Sequence, residues 1–165
     1  MILSMDLSMS GTALAVLDIS VSGRVKIVET CFVNNKKHSK KSHGYRLNNI
    51  SLELDRILKA YEIEHIVREK GFSKFATATQ TLFKVVGVSD LTLFKNGVEK
   101  DIAEIPPTTV KKAIAGHGGA EKSEVAEGVR SYLVDDQKDY VFGTEDESDA
   151  VAVGVTYALQ KKLIS

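Results

Sequence analysis

The chain has 165 residues, enough for one domain with a sizeable core, and its 43% hydrophobic and 27% charged residues are ordinary for a globular protein. Its 22 basic residues balance 22 acidic ones, so net charge argues neither for nor against a nucleic-acid partner. A single cysteine, Cys31, excludes an internal disulfide and a cysteine-based zinc site, and no apolar run approaches the ~20 residues of a membrane span.

Met1 to Asp6 reads as a short buried strand that ends on an acid. No basic region precedes that acid, so the segment is not a signal peptide and the expected location is the cytoplasm. Ser8, Ser10 and Gly11 make a turn into a second strand, Thr12 to Ile19. After the turn Val21-Ser22-Gly23-Arg24, Val25 to Val33 alternates as a third strand, which completes an antiparallel meander. Asn34 to Tyr45 is a polar, basic loop. Leu47, Ile50, Leu54, Ile57, Leu58 and Tyr61 then share one face of a helix. Ile63 to Glu69 reads as a fourth strand, again ending on an acid, and the strand–helix–strand alternation predicts that it lies beside the first.

Phe75 to Phe94 suits a long helix stopped at Asn96-Gly97, with a hairpin around that dipeptide as the alternative. Ile102 to Ile105 is the fifth strand, halted by Pro106-Pro107. Thr108 or Thr109 is expected to cap a short helix, Val110 to Ala115. Beyond the loop Gly116-His117-Gly118-Gly119, Ala120 to Val134 reads as a helix whose first turn holds Lys122, a cation opposing the helix dipole. Asp135 to Gly143 is a polar link to the last helix. With no repeat or long linker, residues 1–165 are expected to form one domain of α/β class, a five-stranded mixed sheet flanked by helices.

Charge is unevenly spread. Arg24 to Arg46 holds seven basic residues and one acid, whereas Asp135 to Asp149 holds seven acids and one lysine. That split suggests a basic surface for phosphates and an acidic pocket for cations. Within Glu145-Asp146-Glu147-Ser148-Asp149-Ala150, Asp146 and Asp149 are three apart and so share a helix face. Acids in a first helical turn are ordinary dipole partners. Joined by Asp6 and Glu69 from the two strand ends, however, they would form a carboxylate cluster that stays ionised only with cations bound. Oxygen ligands select hard ions such as Mg2+ or Mn2+, and a pair of them suits phosphodiester hydrolysis.

Four segments, in this order, resemble the RuvC family of Holliday junction resolvases, which have a ribonuclease H-like fold. They are ILSMDLSMSGT, HIVREKGF, VKKAIAGHGGAEKSEV and EDESDAVAVGV. The resemblance covers nearly the whole chain, and the compact sequence looks most like the phage-borne branch, whose location would be the host cytoplasm. It implies a homodimeric endonuclease that binds four-way junctions and nicks them in pairs, and it leaves open whether forks and flaps are cut as well. It places Asp6, Glu69, Asp146 and Asp149 on the metal ligands of a site holding two Mg2+, or Mn2+ in their place. Lys122 and Lys111 fall on the family's two lysines, as a catalytic aid and a phosphate contact, and Phe72 on its base-stacking wedge. Lys36, Lys37, Lys40 and Lys41 are expected to meet duplex arms through phosphates. Glu145 and Glu147 compete with Asp146 for its place, and His117 stands near Lys122 with no settled role. Arg68 and Gly71 depart from the family pattern, and Thr77 to Asp101 matches it poorly. Two other readings remain: a non-cleaving junction-binding module on the same fold, and an actin-like phosphate-binding ATPase.

Overall fold

The structure is a computed structural model that describes residues 1–71 and 75–164. Its five strands run β1 (Ile2–Asp6), β2 (Gly11–Ile19), β3 (Val25–Asn34), β4 (His65–Glu69) and β5 (Ala103–Ile105), in the spatial order β3-β2-β1-β4-β5. β1, β2 and β3 pair antiparallel, and β4 joins β1 in parallel with β5 outside it. This is the expected mixed sheet: short turns allow only antiparallel neighbours, and the crossover helix between β3 and β4 permits the parallel pairing.

Helices cover both faces. α1 (His43–Ala60) and α2 (Ala76–Lys95) lie on one, and α3 (Pro107–Ala115), α4 (Lys122–Arg130) and α5 (Glu145–Gln160) on the other. Strand alternation sorts the side chains between two cores. Ile2, Ala13, Ala15, Leu17 and Val67 meet the apolar face of α5, while Leu3, Met5, Leu14, Val16 and Ile66 meet α1 and α2. The same parity fixes the polar ends. Asp6 follows Ile2 and Ser4, and Glu69 follows Val67, so both acids belong to the α5 face. Register opposes Met5 to Arg68 and therefore brings Asp6 and Glu69 level at neighbouring strand ends.

α5 crosses β1 and β2 at close range. A Cβ on Gly154 would lie 2.4 Å from Leu17 Cδ1 and 2.7 Å from Ser4 Oγ, so glycine permits that approach. From Ala150 to Ala158 every residue of the helix is buried, because the sheet lies on one side and α3 and α4 on the other.

Several boundaries differ from those expected. α1 begins at His43 and takes the last three residues of the expected loop, because Ser42 Oγ accepts from Tyr45 N and caps it. The loop itself contains a single 3-10 turn, Lys36–His38. α2 is the continuous helix, not the hairpin. α3 starts at Pro107, which supplies a ready-made φ at the first helical position, so neither Thr108 nor Thr109 is the cap. α4 is shorter than Ala120 to Val134. At its start Glu124 Oε2 accepts from Glu121 N at 2.7 Å. At its end the chain leaves the helix to bond β3: Val25 N donates to Tyr132 O, and Val134 N to Val25 O, both at 2.9 Å. Among the described residues no helix is long and apolar enough to cross a membrane.

Candidate active site

The acidic end of the sheet is built by β1, β4 and the first turn of α5. Thr144 caps α5: its Oγ1 accepts from Glu147 N at 3.2 Å, and Glu147 Oε2 in turn accepts from Thr144 N at 2.9 Å. That reciprocal pair consumes Glu147, which is buried, and Glu145 projects outward with a side chain 77% exposed. Of the three adjacent acids, Asp146 is thus the one left to approach Asp6. Asp146 and Asp149 face the sheet, and with Asp6 each offers a carboxylate oxygen within 4.8 Å of the others. Gly11 helps to make this room, since the Phe32 ring lies where its Cβ would be and Asp146 Oδ2 is 3.5 Å from the same point.

Glu69 stands beside this group of three. A cavity of about 150 Å3 joins it to Asp149, Lys122 and Lys111, over Pro107 and Val110. Lys122, the first residue of α4, reaches into the cluster: its Nζ is 2.9 Å from Asp149 Oδ2, 3.2 Å from Asp146 Oδ1 and 3.9 Å from Glu145. A cation at a helix start opposes the dipole, and here the carboxylates of α5 compensate.

The electrostatics are those of a crowded anionic site. Burial, then the charges of Glu69, Asp149 and Asp146, push the Asp6 carboxyl up to about 7, against a smaller lowering by Lys122. Burial and Asp149 push Glu69 up to about 7, with Lys122 and Lys111 opposing. Burial also raises Asp149, partly offset by its hydrogen bond from Lys122. Burial alone would lower the Lys122 ammonium, but the bond and charge of Asp149, followed by those of Asp146, raise it instead. Three close carboxylate oxygens, a fourth acid at hand and an ammonium already seated among them match the donor set of a hard divalent cation. Among the described residues neither histidine nor cysteine joins that set. The residues present fit such an ion.

Not every candidate reaches this centre. Lys36, Lys37, Lys40 and Lys41 are exposed on the loop between β3 and α1, with the Lys41 ammonium 5.7 Å above the Tyr45 ring. His117 is exposed, and its Nε2 lies 3.4 Å from Glu124, not among the carboxylates. Phe72 lies outside the described residues. The departure at Arg68 has a local cause. The side chain points to the α2 face, where its Nε donates to Glu104 at 2.9 Å and its Nη1 pairs with Asp90, so a buried charge is matched from both neighbours.

A groove of about 740 Å3 leads from Asp6 and Glu69 towards His43 and Arg46 at the start of α1. Nothing in the sequence pattern singles out these two residues. The available signal was a first helical turn that carries base and no acid.

Comparison with known proteins adds to this geometry. The family model described as crossover junction endodeoxyribonuclease RuvC matches residues 2–157. The crossover junction endodeoxyribonuclease RuvC of Ehrlichia canis (strain Jake) is 33% identical over 144 residues, 87% of this chain and 87% of that protein. Its counterpart from Synechococcus sp. (strain WH7803) is 30% identical over 143 residues, 87% of this chain and 89% of the other. Among solved structures, T. thermophilus RuvC in complex with Holliday junction substrate has a TM-score of 0.84 at 21% identity, covering 98% of this chain and 94% of that one. At that identity the likeness is one of fold.

Proposed function

Since the chain belongs to the RuvC family of crossover junction endodeoxyribonucleases, we propose that it resolves four-way DNA junctions by Mg2+-dependent phosphodiester hydrolysis at Asp6, Glu69, Asp146 and Asp149. The observation that carries this reading is the convergence of Asp6, Asp146 and Asp149 within 4.8 Å, with Glu69 alongside.

These four acids would hold divalent cations, two in the fullest form of the site, with Mn2+ able to replace Mg2+. When bound, such ions activate a water for attack and stabilise the charge on the leaving oxygen. The chain's own groups do the rest. Asp6 and Glu69 are held by neighbouring strand ends, so their spacing follows from sheet register and needs no rearrangement. Asp146 is held by the capped first turn of α5 and Asp149 by the turn that follows. Lys122 offsets part of the cluster's charge before substrate arrives, and its half-exposed ammonium is then available to the scissile phosphate as transition-state charge develops. Lys111, which lines the same cavity as Glu69, contributes a second positive charge for the adjoining backbone.

Outside the site, Lys36, Lys37, Lys40 and Lys41 supply sequence-independent contacts to a duplex arm. A homodimer would place two such sites on the two strands of one junction. α2 provides a face suited to that assembly: Phe83, Leu91 and Phe94 are 63%, 52% and 62% exposed along it, apolar side chains that the same face of a symmetric partner would cover.

The test is cleavage of end-labelled synthetic substrates in Mg2+ and in EDTA. Paired, symmetric nicks in a four-way junction, with weaker or no cutting of forks, flaps and linear duplex, support the reading. A junction that is bound but uncut in Mg2+ refutes it.

A further inference from the structure

The groove that leaves the carboxylates is chemically two-sided. Asp6 and Glu69 stand at one end, and His43 and Arg46 at the other, with an apolar wall of Met9, Ala78 and Leu82 between them. Phe75, 76% exposed, stands at its rim. A surface that only held phosphates would need no such wall, and a surface that only held bases would need no cations.

Arg46 is held in place yet lacks a counter-ion. Its backbone carbonyl accepts from Asn35 Nδ2 at 2.9 Å, and Asn35, fully buried, is itself bonded to Ser10 O and to Asn49. Its Nη2 donates to Met9 O at 3.2 Å, across to the β1–β2 turn. Its Nε is buried without a hydrogen-bond partner, and among the described residues no carboxylate pairs with the guanidinium. The charge that the guanidinium presents to the groove is therefore unbalanced, and an anion lying there would gain a charge-assisted contact. His43, which lines the same groove, has its Nδ1 3.2 Å from Lys84 Nζ, two further basic groups with no acid between them. The first turn of α1 contains no acid, and neither does that of α2, which borders the same groove. An anion supplied from outside would satisfy all of these groups together.

We propose that this groove carries the single strand that leaves the scissile position, and that Arg46, aided by His43 and Lys84, grips a phosphodiester adjoining the one that is cut. The bases of that strand rest on the Met9–Leu82 wall and the Phe75 ring, as in other single-strand tracks that combine a basic rim with apolar and aromatic platforms. This inference rests on the junction-cleaving function proposed above, and it assigns to that function a substrate-positioning residue outside the carboxylate centre.

The experiment is a scan with junctions that carry one neutral methylphosphonate at each position around the scissile phosphate, measured for binding in Ca2+ and cleavage in Mg2+. Wild type is expected to lose about tenfold at one adjoining phosphate, the scale of a lost charge-assisted contact. Arg46→Gln should be about tenfold weaker on the unmodified junction and lose nothing further at that phosphate, while its losses elsewhere match wild type. The double variant His43→Ala/Lys84→Ala, altered only at exposed side chains, should show a smaller effect at the same position, and it carries the test should Arg46→Gln fail to fold. Losses that simply add for both variants at every position overturn the subsite. Failure of wild type to bind or cut the unmodified junction overturns the parent function instead, and is seen without any modified substrate.

Discussion

Replacing Asp6 by Asn should make the metal-free protein more stable while abolishing its activity, and the size of the gain should depend on pH. Burial and three neighbouring acids push the Asp6 carboxyl from 3.8 to about 7. A raised acid binds its proton more tightly in the folded state, so its cost to folding is absent below the unfolded value. That cost grows as pH rises from about 4 to about 7 and is constant above. Asn, close to the shape of protonated Asp, avoids it. About three pKa units set a ceiling of ~4 kcal/mol at pH 8, and less than half of that at pH 5. Solvent reaching the half-buried carboxylate reduces these figures, and we expect ~1–2 kcal/mol at pH 8, or a rise in Tm of ~2–8 °C. Thermal melts of both proteins in EDTA at pH 4, 5 and 8, alongside junction binding and cleavage in Mg2+, make the assay. Wild type should also gain more from Mg2+ at pH 8 than the variant does. An Asn variant that is less stable at pH 8, or whose gain is the same at pH 4 and pH 8, refutes the crowded-carboxylate account.

Lys122→Met removes the ammonium that lies 2.9 Å from Asp149 and 3.2 Å from Asp146. In EDTA it should lower stability by about 0.5–1 kcal/mol, and added Mg2+ should restore more than it does in wild type, because no internal cation competes. Calorimetry with and without Mg2+ checks both signs, and an unchanged Mg2+ response removes Lys122 from the cluster's charge balance. Neutralising Lys36, Lys37, Lys40 and Lys41 together should weaken junction binding and reduce the slope of log affinity against log salt by up to about 3.6. An unchanged slope returns them to a solvated loop. Leu91→Glu with Phe94→Glu should yield a folded monomer by sedimentation, with loss of paired nicking, whereas a persistent dimer places the interface elsewhere than α2.

Much of this architecture is legible in the sequence because it depends on period and spacing. Two short apolar runs that each end on an acid, Met1 to Asp6 and Ile63 to Glu69, become parallel neighbours, and their alternation brings both acids to the α5 face. What is not legible depends on contacts far apart in the chain. The choice of Asp146 over Glu145 and Glu147 follows from which glutamate closes the cap on Thr144, and three adjacent acids look alike before that cap is formed. The early end of α4 comes from Val25, more than a hundred residues away, which takes up the backbone of Tyr132 and Val134. Arg68 looks misplaced in a buried strand until Asp90 and Glu104 are seen on either side of it. Arg46 is one basic residue among several in the sequence, since nothing local shows that its guanidinium meets a groove and, among the described residues, no acid.

If this one cluster of acids cuts branched DNA, a supercoiled plasmid bearing an extruded cruciform is its substrate. Wild type with Mg2+ should convert the plasmid to linear product through two nicks within one bound complex. Asp149→Asn should bind the cruciform with similar affinity and leave it intact. Wild type that binds without nicking, or an Asp149→Asn variant that linearises the plasmid at the wild-type rate, would contradict the account.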